Sequence, residues 1–331
     1  MQAAWPYWSF APIHVKLRRP CAWETDLSNI SSTLRQALTG ISGILVTPFD
    51  ADDRIAPAKL CPIMDRAVKA GVDILVINGN TSEFYALQAS EAEAMMRATV
   101  EMANGRVPVI NGVGRSVHEA CALARASKAA GADGVMVHQP PDPFVSPRGL
   151  MDYVQRVAEA ADGLPVMLYL RNDAIGTDAI VRLTEIPAVA GVKWAAPSPM
   201  KLAQAIQGAD PDVVWVGGLA ETWAPALCAV GAQGFTSGLI NIWPEQSVAI
   251  LQALRASDYA KAMQLIRQIE EFETIRAEEL NGTNVTGVKA ALQLIGNDCG
   301  PARPPAAWPL SANQQSRLSS LIKGWGLNAA V

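Results

Sequence analysis

The sequence predicts an α/β fold, a TIM (β/α)8 barrel with extra C-terminal helices. From Gly40 onward, short β-branched or apolar runs alternate with longer Ala-, Glu- and Arg-containing segments of helical period. Eight such strand-then-helix units fit within 40–256, the number a closed barrel requires. The strand runs look continuously apolar but for a few residues, chiefly at their ends, as parallel strands buried on both faces should. A doubly wound open sheet is the competing architecture, and it seldom runs to eight regular units.

The strands are read at 43–47 (GILVT), 73–78 (DILVIN), 107–111 (VPVIN), 134–138 (GVMVH), 165–169 (PVMLY), 190–193 (AGVK), 213–216 (VVWV) and 234–236 (GFT). The helices fall at 58–70, 90–104, 116–130, 147–161, 178–185, 199–207, 221–230 and 244–255. Three open on proline, which suits a first turn whose N–H has no partner to lose. Others close on a small residue and glycine, as in KAGVD and AAGAD. Beyond 256 the pattern is purely helical, at 258–280, 285–296 and 312–325, with a Pro-rich connector at 300–309. The chain thus divides into an N-terminal extension, possible disorder included (1–39), a barrel (40–256) and helices packed outside it (257–331). Strand alternation turns Trp194 toward the helices, and Cys228 and Met263 read as helix core.

Half of the 331 residues are apolar, enough for a sizeable core, and the net charge is −4. No basic stripe marks a nucleic-acid binder. No uninterrupted apolar run of ~20 residues marks a membrane span. The aromatic, proline-containing start lacks the apolar run and cleavage site of a secretory signal. The cysteines number five and never form a C-x-x-C pair, so they read as free thiols of a reducing, cytoplasmic compartment. The three histidines are too dispersed for a metal cluster, and no metal is needed.

In such a barrel the reacting groups project from the C-terminal ends of strands. The sixth strand ends on Lys193, the one charge in VAGVKWAAP. Apolar surroundings disfavour an ammonium, and the free amine attacks carbonyls. A lysine that snorkels to solvent is the bland alternative. The fifth strand ends in LYLRND, where the phenol of Tyr169 suits proton transfer to an iminium, or else sits half-buried in the core. After the second strand, GNTSE (79–83) offers backbone N–H groups and the Thr81 and Ser82 hydroxyls to a carboxylate, unless it is an ordinary turn. Glu83 reads equally as structural anchor or acid. His138 and Gln139 read equally as hydroxyl contacts or structural groups.

These three strand ends, in this order, resemble the dihydrodipicolinate synthase and N-acetylneuraminate lyase family of class I aldolases, over about 40–296. GILVTPFDADDRI resembles the family's opening strand, GNTSE its G-T-T-G-E loop, LYLRN its Y-N-x-P strand end and GVK its G-x-K strand. The resemblance implies a Schiff base on Lys193 with pyruvate or another 2-keto acid, with Tyr169 as proton shuttle. It assigns Thr81, Ser82 and the loop residue Asn80 to substrate binding, and Ser237 and Gly238 to pocket lining by backbone contacts. It implies no cofactor or metal, and a homo-oligomer, dimer or tetramer.

Departures from the family pattern bear on the reaction. Asn80 and Ser82 replace a threonine and a glycine of the loop, and HQPPDPFVSP (138–147) lacks the synthase's tyrosine pair. Ala174 stands where the synthase has an arginine, while Arg171 offers a carboxylate contact from another position. LYLRN looks more like the keto-sugar-acid dehydratase branch, which includes 5-dehydro-4-deoxyglucarate dehydratase. The expected function is therefore a Schiff-base lyase acting on a small 2-keto acid. The rivals are an authentic 4-hydroxy-tetrahydrodipicolinate synthase and a barrel that binds keto acids without turnover.

Overall fold

Continuously apolar strands demand cover on both faces, and every residue of the eight strands is buried in the computed structural model, which describes residues 31–327. The strands are β1 (Ile41–Ile44), β2 (Ile74–Ile77), β3 (Val109–Val113), β4 (Gly134–His138), β5 (Val166–Leu170), β6 (Val189–Trp194), β7 (Val214–Gly217) and β8 (Gly234–Ser237). All pair in parallel and in chain order, and β8 returns to β1 to close the barrel. The ends differ from the predicted ones by three residues at most.

Around the barrel run α1 (Ser32–Leu38), α2 (Cys61–Ala70), α3 (Ala89–Ala103), α4 (Val117–Ala130), α5 (Pro147–Ala161), α6 (Thr177–Thr184), α7 (Pro199–Gly208), α8 (Ala220–Cys228) and α9 (Pro244–Arg255). At the C′ position of α4, Gly131 has φ of 81° and lets the chain turn back into β4.

Alternation sorts the strand residues into two sets. Ile44, Val76, Ile110, Met136, Met167, Tyr169 and Val216 fill the barrel interior. Val135, Leu168, Val192, Trp194 and Trp215 face the helices, so Trp194 packs where alternation predicts.

The N-terminal boundary lies earlier than expected. Residues 32–38 form α1, whose Leu34 and Leu38 join the barrel-interior cluster. Burying each leucine contributes roughly 2 kcal/mol. Arg35 fixes this plug by donating to the Asp212 carbonyl ahead of β7. The rest of the predicted extension, residues 1–30, lies outside the described residues.

The predicted helix at 258–280 is two, α10 (Tyr259–Arg267) and α11 (Glu270–Asn281). Glu270, Glu271 and Glu273 crowd the first turn of α11, where carboxylates favour a helix start. Helical backbone is lost again at Glu278–Leu280, with Glu279 and Leu280 left-handed. Then come α12 (Asn284–Leu294) and α13 (Ala312–Gly324). Met263 is 40% exposed rather than core, because α10 buries Ala262 and Ile266, and Met263 falls on its flank. Cys228 is half-buried.

Candidate active site

Lys193 and Tyr169 are register partners on β6 and β5, both pointing into the barrel at its C-terminal end. Lys193 is 3% exposed, and its Nζ lies 3.9 Å from the centre of the Tyr169 ring. Burial, with a smaller push from the positive Arg171, lowers its pKa to about 7. Burial raises the Tyr169 phenol to about 12. Asn80 Nδ2 donates to the Tyr169 oxygen at 2.9 Å, which partly opposes that rise.

The 79–83 turn divides its labour. Ser82 is fully buried, and its hydroxyl donates to the Leu45 carbonyl at 2.5 Å while accepting from Gly79 N–H at 3.1 Å. Thr47 Oγ1 donates to the Ser82 carbonyl at 2.7 Å. The Ser82 side chain therefore builds the turn and is not free for a ligand. The hydroxyl of Thr81 and the backbone N–H groups of Asn80 and Thr81 have no hydrogen-bond partner among the described residues. Glu83, left-handed with φ of 58°, points away to an ion pair with Lys289.

His138, on β4 beside Tyr169, donates from Nε2 to the Asn78 carbonyl at 2.9 Å and stacks on Phe84 with centroids 4.6 Å apart. Burial lowers its pKa to about 3, so the ring is neutral. Its ring lies edge-on to Tyr169, with centroids 5.3 Å apart. Gln139 accepts from the Arg171 and Asn172 N–H groups at 2.8 Å each and donates to the Asn172 carbonyl, so its amide is a structural tie.

Arg171 is exposed at the mouth, its guanidinium carbon 6.0 Å from the Tyr169 ring centre and 5.8 Å from that of Tyr85. Among the described residues no carboxylate pairs with it.

Ser237 is not brought to the lysine by its side chain. Alternation turns it outward with Phe235, and its hydroxyl donates to buried Glu221 at 2.5 Å and meets Ser247 at 3.1 Å. Any contact it makes with a ligand runs through its backbone. Gly238 is pressed from outside by Arg276, whose guanidinium nitrogen would lie 2.7 Å from a Cβ at that position.

Sequence reasoning missed three groups here. Tyr85 lies edge-on to His138 and beneath Arg171, and a second aromatic in EFYAL was its only signal. Gly218, after β7, leaves room for the lysine, since a Cβ there would come 3.0 Å from Lys193 Cγ. The Gly-Gly pair in VGGLA was that signal. Glu221, a buried carboxylate with two serine donors, had none. No group of three or more His, Cys, Asp or Glu side chains able to hold a metal lies among the described residues.

A closed parallel barrel brings a buried lysine and tyrosine into register at one end, and comparison with known proteins gives the chain a family. The profile of the dihydrodipicolinate synthetase family matches residues 37–324, and the chain belongs to that family. It is 32% identical over 294 residues to the 4-hydroxy-tetrahydrodipicolinate synthase of Methanosarcina mazei, covering 87% of this chain and 98% of that one. It is 29% identical over 290 residues to the probable 5-dehydro-4-deoxyglucarate dehydratase of Rhizobium rhizogenes, covering 86% and 95%. The crystal structure of dihydrodipicolinate synthase from Bacillus clausii superposes with a TM-score of 0.85 at 36% identity, over 89% of this chain and all of that one.

Proposed function

We propose that the protein is a Schiff-base lyase of the class I aldolase type acting on a small 2-keto acid, by cleavage or formation of a carbon–carbon bond or by loss of water from a keto-deoxy sugar acid. The observation that carries this is the amine of Lys193, held at a pKa of about 7, 3.9 Å over the Tyr169 ring inside a closed barrel.

The neutral amine adds to the C2 carbonyl, and the resulting hydroxyl leaves as water on taking the Tyr169 proton. The phenolate is then stabilised by the adjacent iminium cation and by the Asn80 N–H. It can take a proton from C3, with the electrons moving to the iminium nitrogen to give an enamine. Returning that proton to a departing C4 hydroxyl completes a dehydration. Taking the C4 hydroxyl proton instead, and giving it to C3 after the C3–C4 bond breaks, completes an aldol cleavage. Hydrolysis of the iminium frees the lysine.

The Thr81 hydroxyl and the Asn80 and Thr81 N–H groups would hold the C1 carboxylate, and exposed Arg171 a group at the distal end of the substrate. Free thiols at Cys61, Cys121, Cys228 and Cys299 support a cytoplasmic enzyme, and the family resemblance supports a dimer or tetramer.

The test is borohydride reduction in the presence of pyruvate and a panel of 2-keto-3-deoxy sugar acids. An adduct mapping to Lys193 is expected, with release of pyruvate or loss of water from a panel member. No adduct, or one elsewhere, would refute the proposal, and an adduct without turnover of any substrate would favour a barrel that only binds. The synthase reading is favoured by the likeness to the Methanosarcina and Bacillus enzymes. Against it, Asn80 places an amide where a hydroxyl would relay protons to Tyr169. Consumption of aspartate semialdehyde with pyruvate would decide for the synthase.

A further inference from the structure

Glu83 and Lys289 form an ion pair sealed from water. Lys289 Nζ lies 2.5 Å from Glu83 Oε1, and the two side chains are 0% and 3% exposed. Lys289 belongs to α12, outside the barrel, whereas Glu83 closes the 79–83 turn at the end of β2. The chemistry at Lys193 uses neither charge. Lys289 Nζ also donates to the Pro301 carbonyl at 2.8 Å and lies 4.1 Å from the centre of the Phe49 ring. Glu83 Oε2 accepts from Arg303 N–H at 2.7 Å.

Desolvating two charges consumes most of what their attraction returns, so such a pair adds little stability over an apolar pair of the same shape. What it adds is direction. Glu83 has φ of 58°, a left-handed conformation that residues with a Cβ avoid. Its side chain is drawn outward by Lys289 and by the backbone of the 301–303 connector. Immediately upstream, the N–H groups of Ser82 and Glu83 donate to Gly79 and Asn80 carbonyls, so the conformation at Glu83 is built into the same tight turn as Thr81.

We propose that Lys289 is a positioning residue: through Glu83 it fixes the turn at which the Thr81 hydroxyl and N–H meet the substrate carboxylate. This rests on the Schiff-base reading above and names the outer support of its carboxylate site. A displacement of the turn weakens carboxylate binding while leaving the lysine and tyrosine in place. The effect therefore falls on the keto-acid concentration needed for half-maximal Schiff-base formation, not on the rate at saturation.

The experiment measures borohydride trapping of the full-length enzyme as a function of pyruvate concentration, alongside thermal melting, for wild type, K289M, K289R and E83Q/K289M. For K289M the half-saturating pyruvate concentration should rise ~10- to 100-fold, with the saturating rate changed much less. K289R, which keeps the cation, should bind more nearly as wild type does. The neutral pair E83Q/K289M strands no charge and should regain melting temperature while its half-saturation stays raised. That separation is one a purely structural ion pair would not produce.

A folded K289M or double variant with half-saturation within about twofold of wild type would overturn the proposal. So would recovery of affinity together with stability in the double variant. If the wild-type enzyme forms no pyruvate adduct at all, the Schiff-base reading fails and takes this inference with it. An adduct with unchanged half-saturation defeats this inference alone.

Discussion

Lys193 and Tyr169 sit on adjacent strands in register, the amine 3.9 Å above the centre of the phenol ring. The burial that lowers the lysine pKa also makes it a burden on the fold. Its folded pKa is about 7 against an ordinary 10.5, so the unfolded chain binds the extra proton between those values. The cost is absent above pH 10.5, grows as pH falls toward 7 and is complete below it. Lys193→Met should therefore stabilise the protein at pH 7 by roughly 1–4 kcal/mol, an advantage that fades toward pH 10.5. Melting temperatures of the two proteins across that range check this. In the wild type, trapping of pyruvate should fall about tenfold per pH unit below the lysine pKa.

Tyr169→Phe should separate adduct formation from turnover. The amine remains buried and still condenses with pyruvate, though more slowly because water must replace Tyr169 as the donor to the departing hydroxyl, and no positioned group then moves the proton between substrate atoms. Turnover should drop ~10²- to 10⁴-fold while a borohydride adduct at Lys193 persists. Asn80→Ala removes the N–H that supports the phenolate, so the phenol pKa should rise further and turnover fall about tenfold. Steady-state kinetics with the substrate found in the keto-acid panel would measure both losses.

What the sequence disclosed follows from where the signals lie. Parallel strands are legible because burial on both faces leaves them mostly apolar, and Lys193 stands out as the one charge in VAGVKWAAP. The same alternation that turns Trp194 outward, applied from Phe235, puts the Ser237 hydroxyl outside the wall. Contacts between distant segments left no local trace. Asn80 meeting Tyr169, Lys289 meeting Glu83 and Leu34 entering the barrel depend on closure of the whole ring. The division of the loop into a structural Ser82 and an unengaged Thr81 was likewise invisible, because both are hydroxyl residues in one turn.

Arg171→Leu should shift the acid limb of the pyruvate-trapping profile to higher pH. The guanidinium disfavours the Lys193 ammonium by like-charge repulsion, and its loss lets the lysine hold its proton longer. Arg171→Lys keeps the charge and should leave the limb nearly in place. If Arg171 also grips the distal end of the substrate, the leucine variant will raise KM for a keto acid with a second carboxylate but not for pyruvate. An unmoved acid limb would show that burial alone sets the lysine pKa.

Glu221 lies fully buried behind β8, its Oε1 accepting from Ser237 at 2.5 Å and from Ser247 at 2.6 Å. Burial, reinforced by the neighbouring Glu273 carboxylate, raises its pKa to about 7 from an ordinary 4.5. For a carboxyl raised in this way the folded chain holds the extra proton. The stability cost is absent below pH 4.5, grows as pH rises and is complete above about 7. Glu221→Gln keeps an oxygen for the two serines and never ionises. At pH 8 it should melt higher than the wild type, by roughly 2–4 °C for each kcal/mol relieved, and near pH 4.5 the two should melt together. Equal differences at both pH values would mean that the carboxylate stays charged in the fold, compensated through the Glu273–Arg276 pair beside it.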